Sequence, residues 1–319
     1  MSVLFSVRDT SGPSAAIELA QNRVSGATVE WRGRRAAIVA HALEPLPDGA
    51  LTASLMAANI HDRPTVAIAL GRVLDQLGRP RRIALVVPDP VAKVSLLKFE
   101  QVPARTEDLD QLVRWQVRKT APFVIDDARV SYSTGQGGSD GQEFIVSLAR
   151  QDIVREYEQL CADAGAHAGI VDLATFNVIN AVLAAWTPPA ADWLLVNVAP
   201  DYATIAILRG PHLIFFRNRS AEANGTLTDL VHQTAMYYED RLSGAGFTRV
   251  MLAGAAGSDL RHAADVEQVR RSLEERLSTP VETVDARAAA ALSDRISADP
   301  ALLDTLAPLV GVLLRGQAV

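Results

Sequence analysis

The sequence predicts a soluble α/β protein built from two related lobes. Three observations carry this prediction: the chain length, a globular composition, and a strand pattern that occurs twice. The chain has 319 residues, more than one ordinary hydrophobic core accommodates. Its hydrophobic fraction is 49% and its charged fraction 21%, so enough apolar material is present for a large core.

The repeated pattern is a three-stranded meander. The first copy covers residues 16–40 and the second covers residues 195–216. Each copy reads as a strand, a polar turn, a strand, a turn that contains glycine, and a third strand. Gly33 and Gly210 each follow an arginine at the same place in the two copies. Meanders are common, so chance is the alternative; a true repeat predicts two similar lobes.

The segments around and between the meanders predict the other elements. Residues 83–87 read as a buried strand, and residues 94–148 read as an inserted module of strand, helix, strand and strand. The helix of this module covers residues 106–120, with Thr106 as its cap. Further helices are predicted at 152–164, with Asp152 as cap, and at 175–185, 226–242, 265–277 and 302–315, the last split by Pro308 into two pieces. The predicted domains are 1–88 plus 165–189 for the first lobe, 89–164 for the inserted module, and 190–319 for the second lobe.

Composition and spacing exclude several functional classes. The formal net charge is -6 and no cluster of lysine and arginine is present, so nucleic-acid binding is not expected. Cys161 is the single cysteine and lies on the apolar face of a predicted helix, as a core residue does. The histidines lack the spacing of a metal site. No apolar run reaches the roughly 18 residues of a membrane span and the N-terminus lacks a signal pattern. We therefore expect a cytoplasmic protein that meets the membrane only through a partner.

Several segments in order along the chain resemble the PilM family of type IV pilus assembly proteins. They are residues 43–49 (LEPLPDG), 84–89 (ALVVPD), 112–119 followed by 121–123 (APF), the pair 237–238 before 250–254 (VMLAG), and 306–315 (LAPLVGVLLR). The resemblance implies an actin-like (ribonuclease H-like) two-lobed fold with an inserted β-α-β-β module of the FtsA/PilM type. It also implies a cytoplasmic scaffold that docks on the tail of a PilN-like inner-membrane protein and joins other pilus assembly components.

The resemblance to actin-like proteins also implies a cleft for Mg²⁺-ATP, formed by Asp-x-Gly in the first turn of each meander and a Gly-Gly turn in the second lobe. The matching positions here are Glu18 and Ala20, then Asn197 and Ala199, then Gly254 and Ala255. Loss of carboxylates weakens Mg²⁺ binding, and alanine at a positive-φ turn costs roughly 1–2 kcal/mol. ATP hydrolysis is therefore not expected, while binding of ATP with Mg²⁺ without turnover remains open. The residues assigned to this degenerate cleft are Glu18, Ala20, Gln21, Asn22, Arg23, Asn197, Ala199, Asp201, Gly254 and Gly257, with solvated turn residues as the alternative.

Trp115 lies at the margin of the apolar stripe of its predicted helix. It either anchors a partner or packs against the sheet of the inserted module. A partner tail in extended form is expected to add along a strand edge or to lie in a groove between the inserted module and the first lobe.

Three other functions compete with the scaffold. An actin-like ATPase needs Asp at position 18 or 197 followed by glycine, which this chain lacks. The cytoplasmic part of a type II secretion protein such as GspL needs a following membrane span, and an FtsA-like filament needs a C-terminal amphipathic helix. The sequence up to Val319 offers neither.

Overall fold

The computed structural model describes residues 12–33, 35–220, 227–255, 263–293, 296–297 and 299–315. The strands are, in chain order, β1 (Ala15–Ala20), β2 (Arg23–Arg32), β3 (Arg35–Pro45), β4 (Arg82–Val87), β5 (Ala92–Phe99), β6 (Ala128–Gly138), β7 (Gly141–Arg150), β8 (His167–Leu173), β9 (Asp192–Val198), β10 (Tyr202–Arg209), β11 (His212–Ser220), β12 (Arg249–Ala253), β13 (Val281–Thr283) and β14 (Ala291–Leu292). The α-helices are α1 (Arg63–Gln76), α2 (Thr106–Arg118), α3 (Gln151–Asp163), α4 (Ala174–Ala185), α5 (Leu227–Leu242), α6 (Ala263–Leu277) and α7 (Pro300–Leu314).

Two of the sheets share one strand order. The six-stranded sheet is ordered β14-β3-β2-β1-β4-β8 and the five-stranded sheet β11-β10-β9-β12-β13. In both, an antiparallel meander is followed by two strands that run parallel to its first strand. The repeat predicted from the sequence is thus a repeat of topology, and the two-lobed prediction is confirmed.

The two glycines of the repeat have a backbone reason to be glycine. Gly33 has φ +65° and Gly210 has φ +55°, at the turns that follow β2 and β10. This left-handed region is readily adopted by glycine and costs other residues free energy. Each lobe therefore reverses its second strand with the same backbone geometry.

The inserted module is a three-stranded antiparallel sheet, ordered β5-β7-β6, with α2 packed on one face. Its core contains Val113 and Val117 of the helix and Phe144, Val146 and Leu148 of β7. Arg105, not Thr106, is the N-terminal cap position of α2, and no side chain caps it. The β6–β7 hairpin is longer than predicted, because β6 continues to Gly138.

The last helix corrects the sequence prediction. Pro308 lies inside a single helix, α7, instead of dividing two pieces. A proline inside a helix costs about 3 kcal/mol, but residues 303–314 are all buried and this packing outweighs the loss. Gly311 allows the approach of α4, because a Cβ atom there would lie 1.7 Å from the carbonyl oxygen of Asn177.

Two further helices differ from the sequence analysis. Helix α1 was not predicted; Asp62 caps it by accepting from the amide of Thr65 at 3.1 Å. Asp152 lies in the first turn of α3 and does not cap it, because the helix already begins at Gln151.

The packing of three elements bears on the domain boundaries. Helix α3, predicted to end the inserted module, buries Ile153, Tyr157 and Leu160 in the core of the six-stranded sheet. Helix α7 and β14, from the C-terminal part of the chain, also pack on that sheet. The boundaries 1–88 plus 165–189, 89–164 and 190–319 stay a prediction, and these elements are the ones on which it depends.

Candidate functional site

The first turns of the two meanders face each other across a small cavity, here called the cleft. Its lining includes most of the predicted cleft residues: Glu18, Ala20, Gln21, Arg23, Asn197, Ala199, Asp201 and Gly254. Asn22 lies beside them, because its side-chain oxygen accepts from Arg23 at 3.4 Å. Gly257 lies outside the described residues. Pro88, Asp304 and Pro308 also line the cleft and were not predicted.

The first-lobe side of the cleft is closed by an ion pair. The guanidinium of Arg23 contacts the carboxylate of Glu18 at 3.2 Å, and the hydroxyl of Ser25 donates to the same oxygen at 3.1 Å. The Glu18 side chain is 8% exposed and that of Arg23 is 13% exposed. Arg23 therefore neutralises the one acidic residue that the first turn retains.

The second-lobe side of the cleft is closed by backbone packing. Gly254 has φ +77°, and a Cβ atom at this position would lie 2.0 Å from the carbonyl oxygen of Val198. Close packing against the backbone of Val198 therefore explains why position 254 is glycine in this chain. Among the described residues, Ala20 and Ala199 are not in the positive-φ region. The strain expected for alanine at these turns is therefore absent, because the turns close without that geometry.

Asn197 lines the cleft, but its side-chain amide is engaged within the protein. Its Nδ2 donates to the hydroxyl of Thr175 at 2.8 Å. That hydroxyl and the backbone amide of Thr175 both donate to the carboxylate of Asp89, the second at 3.0 Å. Thr204 of β10 also donates to Asp89, at 2.6 Å. The residue that replaces the second predicted carboxylate is thus part of a buried network between the lobes.

These contacts leave little room for a ligand. The cleft has a volume of about 30 Å³, the room of one or two water molecules. Small-molecule sites usually occupy roughly 300–1,000 Å³. Mg²⁺ requires oxygen ligands in near-octahedral order, whereas Glu18 is held by Arg23 and Ser25. In this arrangement the residues present do not fit Mg²⁺-ATP.

A much larger cavity, here called the groove, lies between the inserted module and both lobes. Its volume is about 640 Å³. Residues 129–133 of β6 and most of β8 form its two long sides, and each strand is the last of its sheet among the described residues. A sheet edge presents unpaired backbone donors and acceptors. From the sequence, the tail was expected along a strand edge or in a groove between the inserted module and the first lobe; the part of the second lobe in this groove and the lining residues were not predicted.

The lining of the groove is mainly apolar, with ion pairs at its rim. Apolar walls come from β4, the 3-10 turn Asp89–Val91, β5, β7, α4 and the second lobe: Val87, Val91, Ala92, Ile145, Phe176, Ile179, Leu183, Leu208 and Leu213. Arg129 of β6 contacts Glu158 of α3 at 3.7 Å, and Arg315 contacts Asp172 of β8 at 2.6 Å. Burial raises the pKa of Asp172 although Arg315 opposes the shift.

Trp115 is not part of the groove lining. Its side chain is 58% exposed, and the ammonium of Lys119 lies 3.7 Å from its ring centroid. The alternative in which Trp115 packs against the sheet of the inserted module is therefore wrong. Its role as a partner anchor stays a prediction, on a surface separate from the groove.

Among the described residues, neither Cys161 nor the metal-ligating side chains form a further reactive site. Cys161 is fully buried in the first core, and burial raises the pKa of its thiol to about 12. In the part of the chain that the structure describes, no group of three metal-ligating side chains lies together. Within the same residues, no helix combines the length and apolar character needed to cross a bilayer.

Two lobes of one strand order, a cleft between their first turns and an inserted module define a protein of the actin-like class. The model of the family of type IV pilus assembly protein PilM matches residues 17–241. The chain therefore belongs to the PilM family. No curated protein sequence matches it significantly.

The chain is also similar to solved structures. A PilM–PilN type IV pilus biogenesis complex is similar over 96% of this chain and 97% of that chain, with a TM-score of 0.78 and 16% identity. A Bacteroides thetaiotaomicron protein with an actin-like ATPase fold and unknown function has a TM-score of 0.48 and 11% identity, over 86% and 91% of the chains. The cytoplasmic domain of EpsL of the Vibrio cholerae type II secretion system has a TM-score of 0.47 and 9% identity, over 75% and 80%.

Proposed function

We propose that this chain is a cytoplasmic scaffold of type IV pilus assembly that receives the tail of a PilN-like inner-membrane protein in the groove. Membership of the PilM family supports the assembly role. The solved complex of the same fold pairs PilM with PilN, which supports the choice of partner. The protein then meets the inner membrane peripherally, through this partner, and links it to other pilus assembly components.

The groove is the observation that carries the proposal. An extended peptide can add to a free sheet edge through its backbone while its side chains enter pockets on alternate sides. The groove offers two such edges, β6 and β8, and mainly apolar walls between them. Its volume, about 640 Å³, lies within the range of ligand clefts. These features suit a short, extended and largely apolar peptide.

The ATP-binding alternative lacks a comparable cavity. The cleft is about 30 Å³ and is closed by side chains of the chain itself. The scaffold role needs only the shape of the two lobes and the groove between them. We therefore favour partner docking over nucleotide binding as the function of this chain.

Calorimetric titration with a synthetic N-terminal tail of the PilN-like protein of the same organism tests the proposal. Ser131 is exposed on β6 and lines the groove, whereas Ser139 is exposed at the tip of the same hairpin, outside the groove. Ser131→Trp should fill the groove and weaken tail binding at least roughly tenfold. Ser139→Trp should bind as the wild type does. Absence of tail binding by the wild type, or equal affinities of the two variants, would contradict the proposal.

A further inference from the structure

The carboxylate of Asp89 lies where three parts of the chain meet. It is fully buried and opens the 3-10 turn Asp89–Val91, which leads from β4 into the inserted module. One oxygen accepts from the backbone amide of Thr175 at 3.0 Å. The other accepts from the hydroxyls of Thr175 and Thr204, the latter at 2.6 Å. Asp89 thus joins the start of the inserted module, helix α4 and strand β10 of the second lobe.

Two asparagines fix the direction of these hydrogen bonds. Nδ2 of Asn197 donates to the hydroxyl oxygen of Thr175 at 2.8 Å, and Nδ2 of Asn218 donates to that of Thr204 at 2.9 Å. An amide nitrogen only donates, so each threonine directs its single hydroxyl hydrogen at Asp89. The network is complete only when Asp89 is an ionised acceptor. Every donor in it has a partner, as buried polar groups require.

The members of this network adjoin the walls of the groove. Val87 and Val91 on either side of Asp89 line the groove, as do Leu173 and Phe176 on either side of Thr175. Strand β10, which carries Thr204, also contributes Leu208 to the lining. Movement of any of the three elements would change the shape of the groove.

We propose that Asp89 is the positioning residue of the partner groove. Its hydrogen bonds fix the walls that the inserted module, α4 and the second lobe contribute, and they do so with side chains of this chain alone. The groove is therefore formed before the tail arrives. This inference rests on the proposed function, in which the groove binds the tail of the PilN-like protein.

The first experiment measures tail affinity in variants of the network. In Asp89→Asn, the side-chain Nδ2 can only donate, and in either orientation of the amide it lies opposite another donor. Thr204→Val removes one hydroxyl at constant shape, and Thr204→Ser keeps it. Asp89→Asn and Thr204→Val should weaken tail binding at least roughly tenfold, whereas Thr204→Ser should stay close to the wild type. Thr52→Val, at an exposed threonine, is the matched control.

The second experiment measures the free protein. Spin labels at Asp48→Cys and Thr283→Cys, both exposed and in different lobes, report the distance between the lobes. Cys161 is buried and should not take a label. The distance distribution should be narrow in the wild type, the Thr204→Ser variant and the Thr52→Val variant, and should shift or broaden in Asp89→Asn and Thr204→Val.

The outcomes separate the two proposals. A folded Asp89→Asn or Thr204→Val variant with wild-type affinity and wild-type lobe distance would overturn the positioning role. A wild-type protein that does not bind the tail would overturn the proposed function instead, and the lobe distances would still test the network. If Asp89→Asn does not fold, the comparison of Thr204→Val with Thr204→Ser decides, because only the hydroxyl distinguishes their hydrogen bonding.

Discussion

The hydroxyl of Thr204 in the five-stranded sheet lies 2.6 Å from the carboxylate of Asp89 beside the six-stranded sheet. This hydrogen bond crosses between the two lobes in a fully buried setting. Burial raises the pKa of Asp89 to about 6; the hydrogen bonds from Thr175 and Thr204 oppose the shift and Asp172 adds to it. The carboxylate is therefore ionised at neutral pH, as its three donors require.

The raised pKa of Asp89 predicts a pH dependence of stability. The native state binds this proton more tightly than the unfolded state, so this group lowers the free energy of unfolding as pH rises from about 4 to about 6 and has no further effect above that. Asp89→Asn removes the effect. The wild-type free energy of unfolding minus that of the variant should decrease by roughly 3 kcal/mol between those limits. Urea denaturation across this pH range measures it. Asp48→Asn, at an exposed position, is the control. If the difference in free energy of unfolding is independent of pH for both variants, the prediction is contradicted.

The ion pair of Arg23 and Glu18 predicts a large stability effect from one partner and a smaller one from the other. Arg23→Met leaves the carboxylate of Glu18, 8% exposed, without its cation and should lower the free energy of unfolding by roughly 3 kcal/mol. Glu18→Gln still accepts from Arg23 and Ser25 and should cost roughly 1 kcal/mol. The double variant should recover part of the Arg23→Met loss. Strictly additive losses in denaturant titrations would show that the pair is not coupled.

A comparison of Gly254, which lines the cleft, with Gly49, which does not, separates the cost of backbone strain from the cost of overpacking. Gly49 and Gly254 both have φ +77°, but an added Cβ atom meets nothing within 4 Å at Gly49 and the Val198 carbonyl at 2.0 Å at Gly254. Gly49→Ala should cost about 1–2 kcal/mol from backbone strain alone. Gly254→Ala should cost roughly 2 kcal/mol more, from overpacking. Equal thermal unfolding midpoints for the two variants would mean that the second-lobe turn is free to move.

The closed cleft predicts no stabilisation by nucleotide. A ligand that binds the native state raises the unfolding temperature in proportion to the logarithm of its concentration over Kd. Typical KM values for enzyme substrates reach about 1 mM. With Mg²⁺-ATP at this concentration, the unfolding midpoint of this protein should not rise. An actin-like ATPase measured in parallel provides the positive control. A rise that grows with nucleotide concentration would mean that Arg23 and Glu18 separate to admit the nucleotide.

Local sequence patterns were sufficient to predict those strands and helices whose structure depends mainly on their own residues. The meanders, the inserted module and most helices follow from strand alternation, apolar stripes and glycine turns. Helix α1 was not predicted, although Asp62 as cap followed by Pro64 is a start signal for a helix. The predicted division of α7 at Pro308 was wrong, because a local rule cannot weigh the burial of the whole helix against one lost hydrogen bond.

The sequence by itself determined the repeat, the family resemblance and the change of chemistry at positions 18, 20, 197 and 199. Each of these depends on residue type and order, which local physics and comparison can evaluate. The tertiary structure alone decided that Arg23 faces Glu18, that Asp89 joins Thr175 and Thr204, and that the edges of β6 and β8 share one groove. Arg23 meets Glu18 through the pairing of β1 with β2, whereas Asp89 and Thr204 are 115 positions apart and only the packing of the lobes brings them within hydrogen-bonding distance.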